Sequence, residues 1–184
     1  PIEKKPLYHF CPGSDILSVG TLGCNLSCGF CQNWHISQAD ADTYSMTPAA
    51  LAEVVADYGA KKESVGLSYT YSEPLVWFEF VLETAELVRE KGFKNVLVTN
   101  GHINEAPLKE LIPDIDAMNI DVKSFSHEFY GKVCSGKLKP VLRTAELARE
   151  AGCHIEITNL LIPGLNDSED DIMKLVSWIR EVLG

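Results

Sequence analysis

No apolar run in this sequence approaches the roughly 18 residues that a membrane-spanning helix needs. No charged start leads into a short apolar core, the mark of a secretory signal, so the expected location is the cytoplasm. Internal repeats, low-complexity tracts and linkers are also missing, which leaves one domain of ordinary globular composition. Basic residues are scarce: 16 Lys and Arg stand against 26 Asp and Glu, for a net charge of −10. That balance argues against non-specific binding to nucleic acid or to an anionic membrane, while leaving room for a local basic patch in a cleft. The six cysteines are not spread as a secreted disulfide framework would spread them. Three crowd together at positions 24, 28 and 31, and the others stand alone at 11, 134 and 153.

What is present is a steady alternation of strand-like and helical patterns. Residues 16–21 read as a first strand, running into the cysteine loop. Thr47-Pro48 opens a helix, with Thr as N-cap and Pro at the first position. Residues 65–71 read as a second strand, and Pro74 starts a helix that ends near Gly92. Residues 96–99 are a third strand, followed by a helix around 107–112. A fourth strand covers 115–122, then a short helical piece near 126–133 and a helix over 140–151. A fifth strand covers 154–162, and Ser168 caps a last helix.

Five β-α units in a row predict an α/β fold with a parallel sheet. The expectation is a partial (β/α) TIM-like barrel; a flat doubly wound sheet is the alternative. Residues 1–14 are expected to form a lead-in segment and 15–184 the core domain. The start at Pro1 and the end just after a helical pattern lead us to expect a piece of a longer protein, with a sixth unit beyond Gly184. Polar residues fall repeatedly where strands end, and in a parallel barrel those ends share one ligand-binding face.

The strongest single signal is Cys24-Asn25-Leu26-Ser27-Cys28-Gly29-Phe30-Cys31. Its spacing lets one loop place thiolates on three corners of a cube. A 4Fe-4S cluster usually takes four cysteines, so three leave one iron open. The alternative is a non-catalytic zinc clip, with Cys24, Cys28, Cys31 and His35 as a three-Cys, one-His shell.

Cys-x3-Cys-x-aromatic-Cys after a first strand resembles the signature of the radical S-adenosylmethionine superfamily. The resemblance covers nearly the whole chain and implies a truncated (β/α)6 core. It implies a 4Fe-4S cluster on Cys24, Cys28 and Cys31, with S-adenosylmethionine on the open iron. Reductive cleavage would then give methionine and a 5′-deoxyadenosyl radical that abstracts hydrogen from a substrate. Phe30 would lie near the adenine. Tyr71-Ser72-Glu73-Pro74 stands where the family often has Gly-Gly-Glu-Pro, and implies that Ser72 and Glu73 meet the amino group of the methionine part. Thr99-Asn100-Gly101 and Asp121-Val122-Lys123 resemble stretches of glycyl-radical-enzyme activases, with Asp121 on the amino group and Lys123 on the carboxylate. Val98 stands where those activases carry an Asp for a monovalent cation. Thr158 and Asn159 could reach the ribose.

The narrower match, carried by residues 8–14, 31–34 and 68–74, resembles the radical enzyme of the AmmeMemoRadiSam system, itself similar to pyruvate formate-lyase activating enzyme. It implies a reducing electron donor of ferredoxin or flavodoxin type. The substrate is either a glycine in a partner protein or another molecule modified directly. Cys11, Cys134 and Cys153 are candidates for extra ligands, relays or buried thiols.

Overall fold

Pairing runs through the sheet in chain order. In the computed structural model, which describes residues 6–184, the strands are β1 (Asp15–Val19), β2 (Ser64–Tyr69), β3 (Lys94–Thr99), β4 (Ala117–Asp121) and β5 (His154–Thr158). They form one five-stranded sheet, ordered β1-β2-β3-β4-β5 and parallel throughout. A doubly wound sheet reverses its order part-way across. This one does not, so the architecture is the partial (β/α) barrel rather than the flat alternative. The helices are α1 (Trp34–Ser37), α2 (Pro48–Lys62), α3 (Phe78–Glu90), α4 (Glu105–Leu111), α5 (His127–Val133), α6 (Leu138–Glu150) and α7 (Glu169–Trp178). None is long and apolar enough to cross a membrane.

Local chemistry starts several of these helices where the sequence places them. The hydroxyls of Thr47, Ser126 and Ser168 each accept from the backbone N–H three residues on, at 3.2 Å. Each bond satisfies an otherwise orphaned donor and contributes about 1 kcal/mol. Strand alternation then divides the sheet's two faces. Leu67, Tyr69, Leu97, Met118 and Ile120 pack with helix residues such as Val55, Val81, Val88, Leu108, Val141 and Ala145. On the other face, the register partners Val96 and Ala117 bury Leu7 of the lead-in segment. Asn119 donates to the Pro6 carbonyl at 2.9 Å, and the Glu156 carboxylate accepts from the Tyr8 and His9 amides, each at 2.8 Å. The described part of that segment is thus stitched to β4 and β5; residues 1–5 of the expected lead-in lie outside the described residues.

Several boundaries differ from expectation: β2 ends at Tyr69 rather than at 71, and β4 spans only Ala117–Asp121. β1 stops at Val19, opposite the end of its partner β2 at Tyr69, and at Gly20 the chain runs so close to Thr70 that a Cβ would meet its carbonyl oxygen at 2.6 Å. β5 stops at Thr158 instead of reaching 162. Its partner β4 ends opposite, at Asp121, and Asn159 turns its amide onto the Val122 carbonyl. The helix after Pro74 begins as a 3-10 turn over Pro74–Trp77, held by Glu73 accepting from the Leu75 amide. The one-turn helix α1, inside the cysteine loop region, has no amphipathic pattern and was not anticipated.

Candidate active site

The expected positions fall at the carboxyl ends of the five consecutive strands. The cysteine loop follows β1, Ser72 and Glu73 follow β2, Asn100 follows β3, Asp121 and Lys123 end and follow β4, and Thr158 ends β5. In a parallel sheet these ends form one rim.

The loop from Cys24 to Cys31 is docked on the turn after α5. The Ser27 and Gly29 amides donate to the Cys134 and Val133 carbonyls at 3.0 and 3.1 Å. Leu26 is buried, and its carbonyl accepts from the Gln38 side chain at 2.9 Å. Cys24, Cys28 and Cys31 are all free thiols and half-buried. Each has its own neighbours. Cys24 Sγ accepts from the Leu26 amide at 3.4 Å and from Asn100 Nδ2 at 3.5 Å. Cys31 Sγ lies 3.3 Å from Ser37 Oγ. Cys28 sits between the two amides that bind the Val133-Cys134 backbone. Burial pushes the Cys24 thiol up. The hydrogen bond from Cys134 pulls Cys28 down to about 7 against the effect of burial, and the charge of Lys123 adds to it.

These environments bear on which metal the loop fits. A single zinc ion needs all its donors within about 2.3 Å of one point. Among the described residues, no three His, Cys, Asp or Glu side chains gather around such a point, and His35 is exposed on α1. An iron-sulfur cluster gives each thiolate a different iron, so its ligands need not converge. Three unbridged soft thiols with separate neighbours, carried on one loop, fit the cluster.

Behind the loop lies a buried carboxylate. Glu73 is 2% exposed. Its oxygens accept from Thr99 Oγ1 at 2.6 Å, the Asn100 amide at 2.7 Å and the Leu75 amide at 3.1 Å. Burial pushes the carboxyl up to about 7 even against those donors. Glu73 therefore fastens the ends of β2 and β3 together from beneath, whereas the resemblance has it facing a ligand's amino group. Just ahead of it, Tyr71 stands where the family pattern has glycine, and its φ is +72°. The left-handed backbone that glycine supplies is kept here by a tyrosine, at a cost of about 1–2 kcal/mol.

Asp121 and Lys123 form an ion pair at 2.5 Å, with the lysine side chain 16% exposed and the aspartate 34%. Burial pulls the ammonium's pKa down, but the adjoining carboxylate outweighs it and the net shift is upward. Phe30 packs its ring 6.0 Å from that of Phe129. Ser72 Oγ accepts from the Thr21 amide at 3.4 Å. Thr158 pairs in register with Asp121 and donates to Asn119 Oδ1 at 2.7 Å. It also lines a cavity of about 590 Å³ along the outer edge of β5, among Tyr8, Arg149, Glu156 and Leu183. That cavity is away from the cysteine loop.

Four further residues hold this rim, of which only Cys134 is a candidate on sequence grounds. Asn25 donates to the His102 carbonyl at 2.7 Å and accepts from Asn100 at 2.8 Å. His102 Nε2 accepts from the Lys137 amide at 3.2 Å. Asn166, 2% exposed, donates to the Lys123 carbonyl at 2.6 Å and so ties the β5–α7 connection to the end of β4. Cys134 is fully buried beside Cys28.

Comparison with known proteins places this geometry. The chain is 46% identical over its whole length to the uncharacterized protein MJ0808 of Methanocaldococcus jannaschii, of which it spans 54%. It is 26% identical over 87% of its length to the pyruvate formate-lyase-activating enzyme of Clostridium pasteurianum, covering 67% of that protein. Neither relative's description carries the AmmeMemoRadiSam name. Among solved structures, Streptococcus suis SuiB bound to S-adenosylmethionine superposes with a TM-score of 0.71 at 16% identity, over 90% of this chain and 38% of that one. The likeness to SuiB shows the fold. The sequence profile of the Radical SAM superfamily matches residues 18–176. That match begins within β1 and ends within α7, so it takes in the carboxyl ends of all five strands: the chain belongs to the radical SAM superfamily, enzymes that work with a 4Fe-4S cluster and S-adenosylmethionine.

Proposed function

We propose that Cys24, Cys28 and Cys31 hold the cluster and that the rim around them binds S-adenosylmethionine for an activating-enzyme type of reaction. When bound, these groups supply one-electron cleavage of the sulfonium carbon–sulfur bond and hydrogen abstraction from a substrate. The protein's own part is orientation. Asp121 and Lys123 offer opposite charges to the ammonium and carboxylate of the methionine moiety. Asn100 sets Cys24 and Asn25 in place, Glu73 holds Asn100 from below, and Phe30 presents an aromatic surface near the loop. Ser72 and Thr158 flank the same rim. The observation that carries the reading is the junction of the cysteine loop with the ends of β2, β3 and β4, where Glu73, Asn100 and Lys123 all lie close to a cluster cysteine or to one another.

The relatives named as activating enzymes support a glycine in a partner protein as the substrate. A ferredoxin- or flavodoxin-type reductant and a cytoplasmic setting fit such chemistry.

The test is anaerobic. The protein is reconstituted with iron and sulfide, reduced, given S-adenosylmethionine and assayed for 5′-deoxyadenosine by mass spectrometry, beside a Cys28→Ala control. Product from the wild type alone is the expected result. Zinc binding with no uptake of iron would overturn the reading.

A further inference from the structure

Charge is spread unevenly along the chain, and the imbalance falls around the cysteine loop. Residues 16–39, which include that loop, hold no Asp, Glu, Lys or Arg. Residues 129–145 hold Lys132, Lys137, Lys139 and Arg143 and no carboxylate, in a protein whose net charge is −10. This basic stretch is the one packed on the loop. Its Cys134 and Val133 carbonyls accept from the Ser27 and Gly29 amides, and a Cβ at Gly136 would run into Leu26. The Lys137 amide donates to His102 Nε2, and the His102 carbonyl holds Asn25.

Two of the four cations have local partners: Lys132 pairs with Glu128, and Arg143 with Glu105 and Glu146. Lys137 and Lys139 are exposed, and among the described residues no carboxylate lies within ion-pair reach of either. Both also stand at the unfavourable end of a helix. Lys137 is the N-cap of α6 and Lys139 its second residue, beside the positive pole of the helix dipole. The first turn of α7 carries Glu169, Asp170 and Asp171 instead. Local stability therefore does not account for the two lysines. Between them and α4 lies a cleft of about 240 Å³, with Ile103, Leu108 and Pro140 on its walls. An apolar centre with a charged rim is the make-up of a protein interface.

We propose that Lys137, Lys139 and this cleft dock an acidic one-electron carrier protein, the reductant of the cluster. The proposal rests on the cluster reading above. One electron leaves the carrier and enters the cluster, and no bond forms or breaks. Charge selects the partner, because the lysines attract an acidic surface that the rest of this acidic chain repels. The carrier lands on the turn that touches Leu26, between Cys24 and Cys28, from the helix side of the sheet. The opposite face, which carries Asp121 and Thr158, stays open to S-adenosylmethionine and substrate.

An acidic flavodoxin is the probe. Its binding is measured by calorimetry at low and high salt. Its hydroquinone, which becomes the semiquinone on giving up one electron, is also mixed anaerobically with the iron-loaded protein, and bleaching of the cluster is followed by stopped flow. Wild type is compared with Lys137→Glu/Lys139→Glu and with Lys174→Glu/Arg180→Glu, which makes the same change in net charge on α7 and the turn after it. Glutamate suits the first turn of α6, so the first double variant keeps its fold. It is expected to lose about tenfold or more in affinity and in reduction rate at low salt. The loss should shrink at high salt, and the control variant should stay close to wild type. Photogenerated deazaflavin radical, a small neutral reductant, should reduce all three alike. Unchanged binding and reduction in the first variant overturn the proposal. An equal loss in the control overturns it too, since net charge alone would then be responsible. A wild type that takes up no iron counts against the cluster reading, while the calorimetry still decides the docking surface.

Discussion

Asn100 Nδ2 lies 2.8 Å from Asn25 Oδ1, and through that bond the end of β3 holds the cysteine loop that follows β1. The same amide nitrogen reaches Cys24 Sγ, and the side-chain oxygen accepts from the His102 amide at 2.8 Å. One 5%-exposed side chain therefore joins two strand ends to one candidate iron ligand.

Replacing Asn100 with Ala leaves the His102 amide and Asn25 without that partner. The expected cost is about 1–3 kcal/mol, the range for an orphaned buried polar group. Urea unfolding checks the stability. Iron content after reconstitution should fall with it, because Cys24 loses its tether.

Glu73 predicts a pH dependence with a defined sign. Its carboxyl is raised to about 7 by burial, above the roughly 4.3 of an unfolded glutamate. A raised folded-state pKa contributes stability that is fully present below the unfolded value and is lost as pH climbs through the folded one. The expected loss between about pH 4 and pH 8 is on the order of 3 kcal/mol. In Glu73→Gln that loss disappears from the pH profile, although the variant is less stable throughout because its amide nitrogen meets the Asn100 amide. Urea midpoints at pH 5 and pH 8 for both proteins decide it: equal slopes would refute the assignment.

Asp121→Asn removes the partner of a largely buried ammonium. With Asp121 a third exposed, the expected destabilisation is about 1–2 kcal/mol, below that of a fully buried pair. Binding of S-adenosylmethionine to the reconstituted protein, followed by calorimetry, should weaken by a larger factor than the stability change explains. A variant that unfolds earlier yet binds as wild type would leave the pair with a structural role only.

Tyr71 tests the left-handed turn that replaces the glycine of the family pattern. Tyr71→Val should destabilise by about 1–2 kcal/mol, because a β-branched residue adopts positive φ least readily. Tyr71→Gly should stay within about 1 kcal/mol of wild type, relieved strain being offset by the flexibility of glycine in the unfolded chain. Thermal unfolding of the two variants side by side is sufficient.

Local signals in the sequence were legible. Thr47, Ser126 and Ser168 start helices where their side chains say they should, since a capping bond spans only three residues. The strand runs keep their order, and Cys-x3-Cys-x-aromatic-Cys marks the loop proposed to hold the cluster. β1, β2 and β5 end short of their own apolar patterns because a strand stops where its neighbour does. Thr158 ends β5 because β4 ends at Asp121, a fact absent from the sequence of β5.

The sequence by itself determined the five β-α units, carried by periodic apolar patterning, and the closely spaced three-cysteine loop, whose motif resembles the superfamily's signature. Tertiary structure alone decided which side chains that loop meets. It buried Glu73 between the ends of β2 and β3, and it brought Asn25 to Asn100 and the Cys134 turn to the loop around Cys28. Each of those pairs lies across the sheet's rim at long sequence separation. Such contacts exist only after parallel strands have aligned their ends, so no local pattern in the chain encodes them.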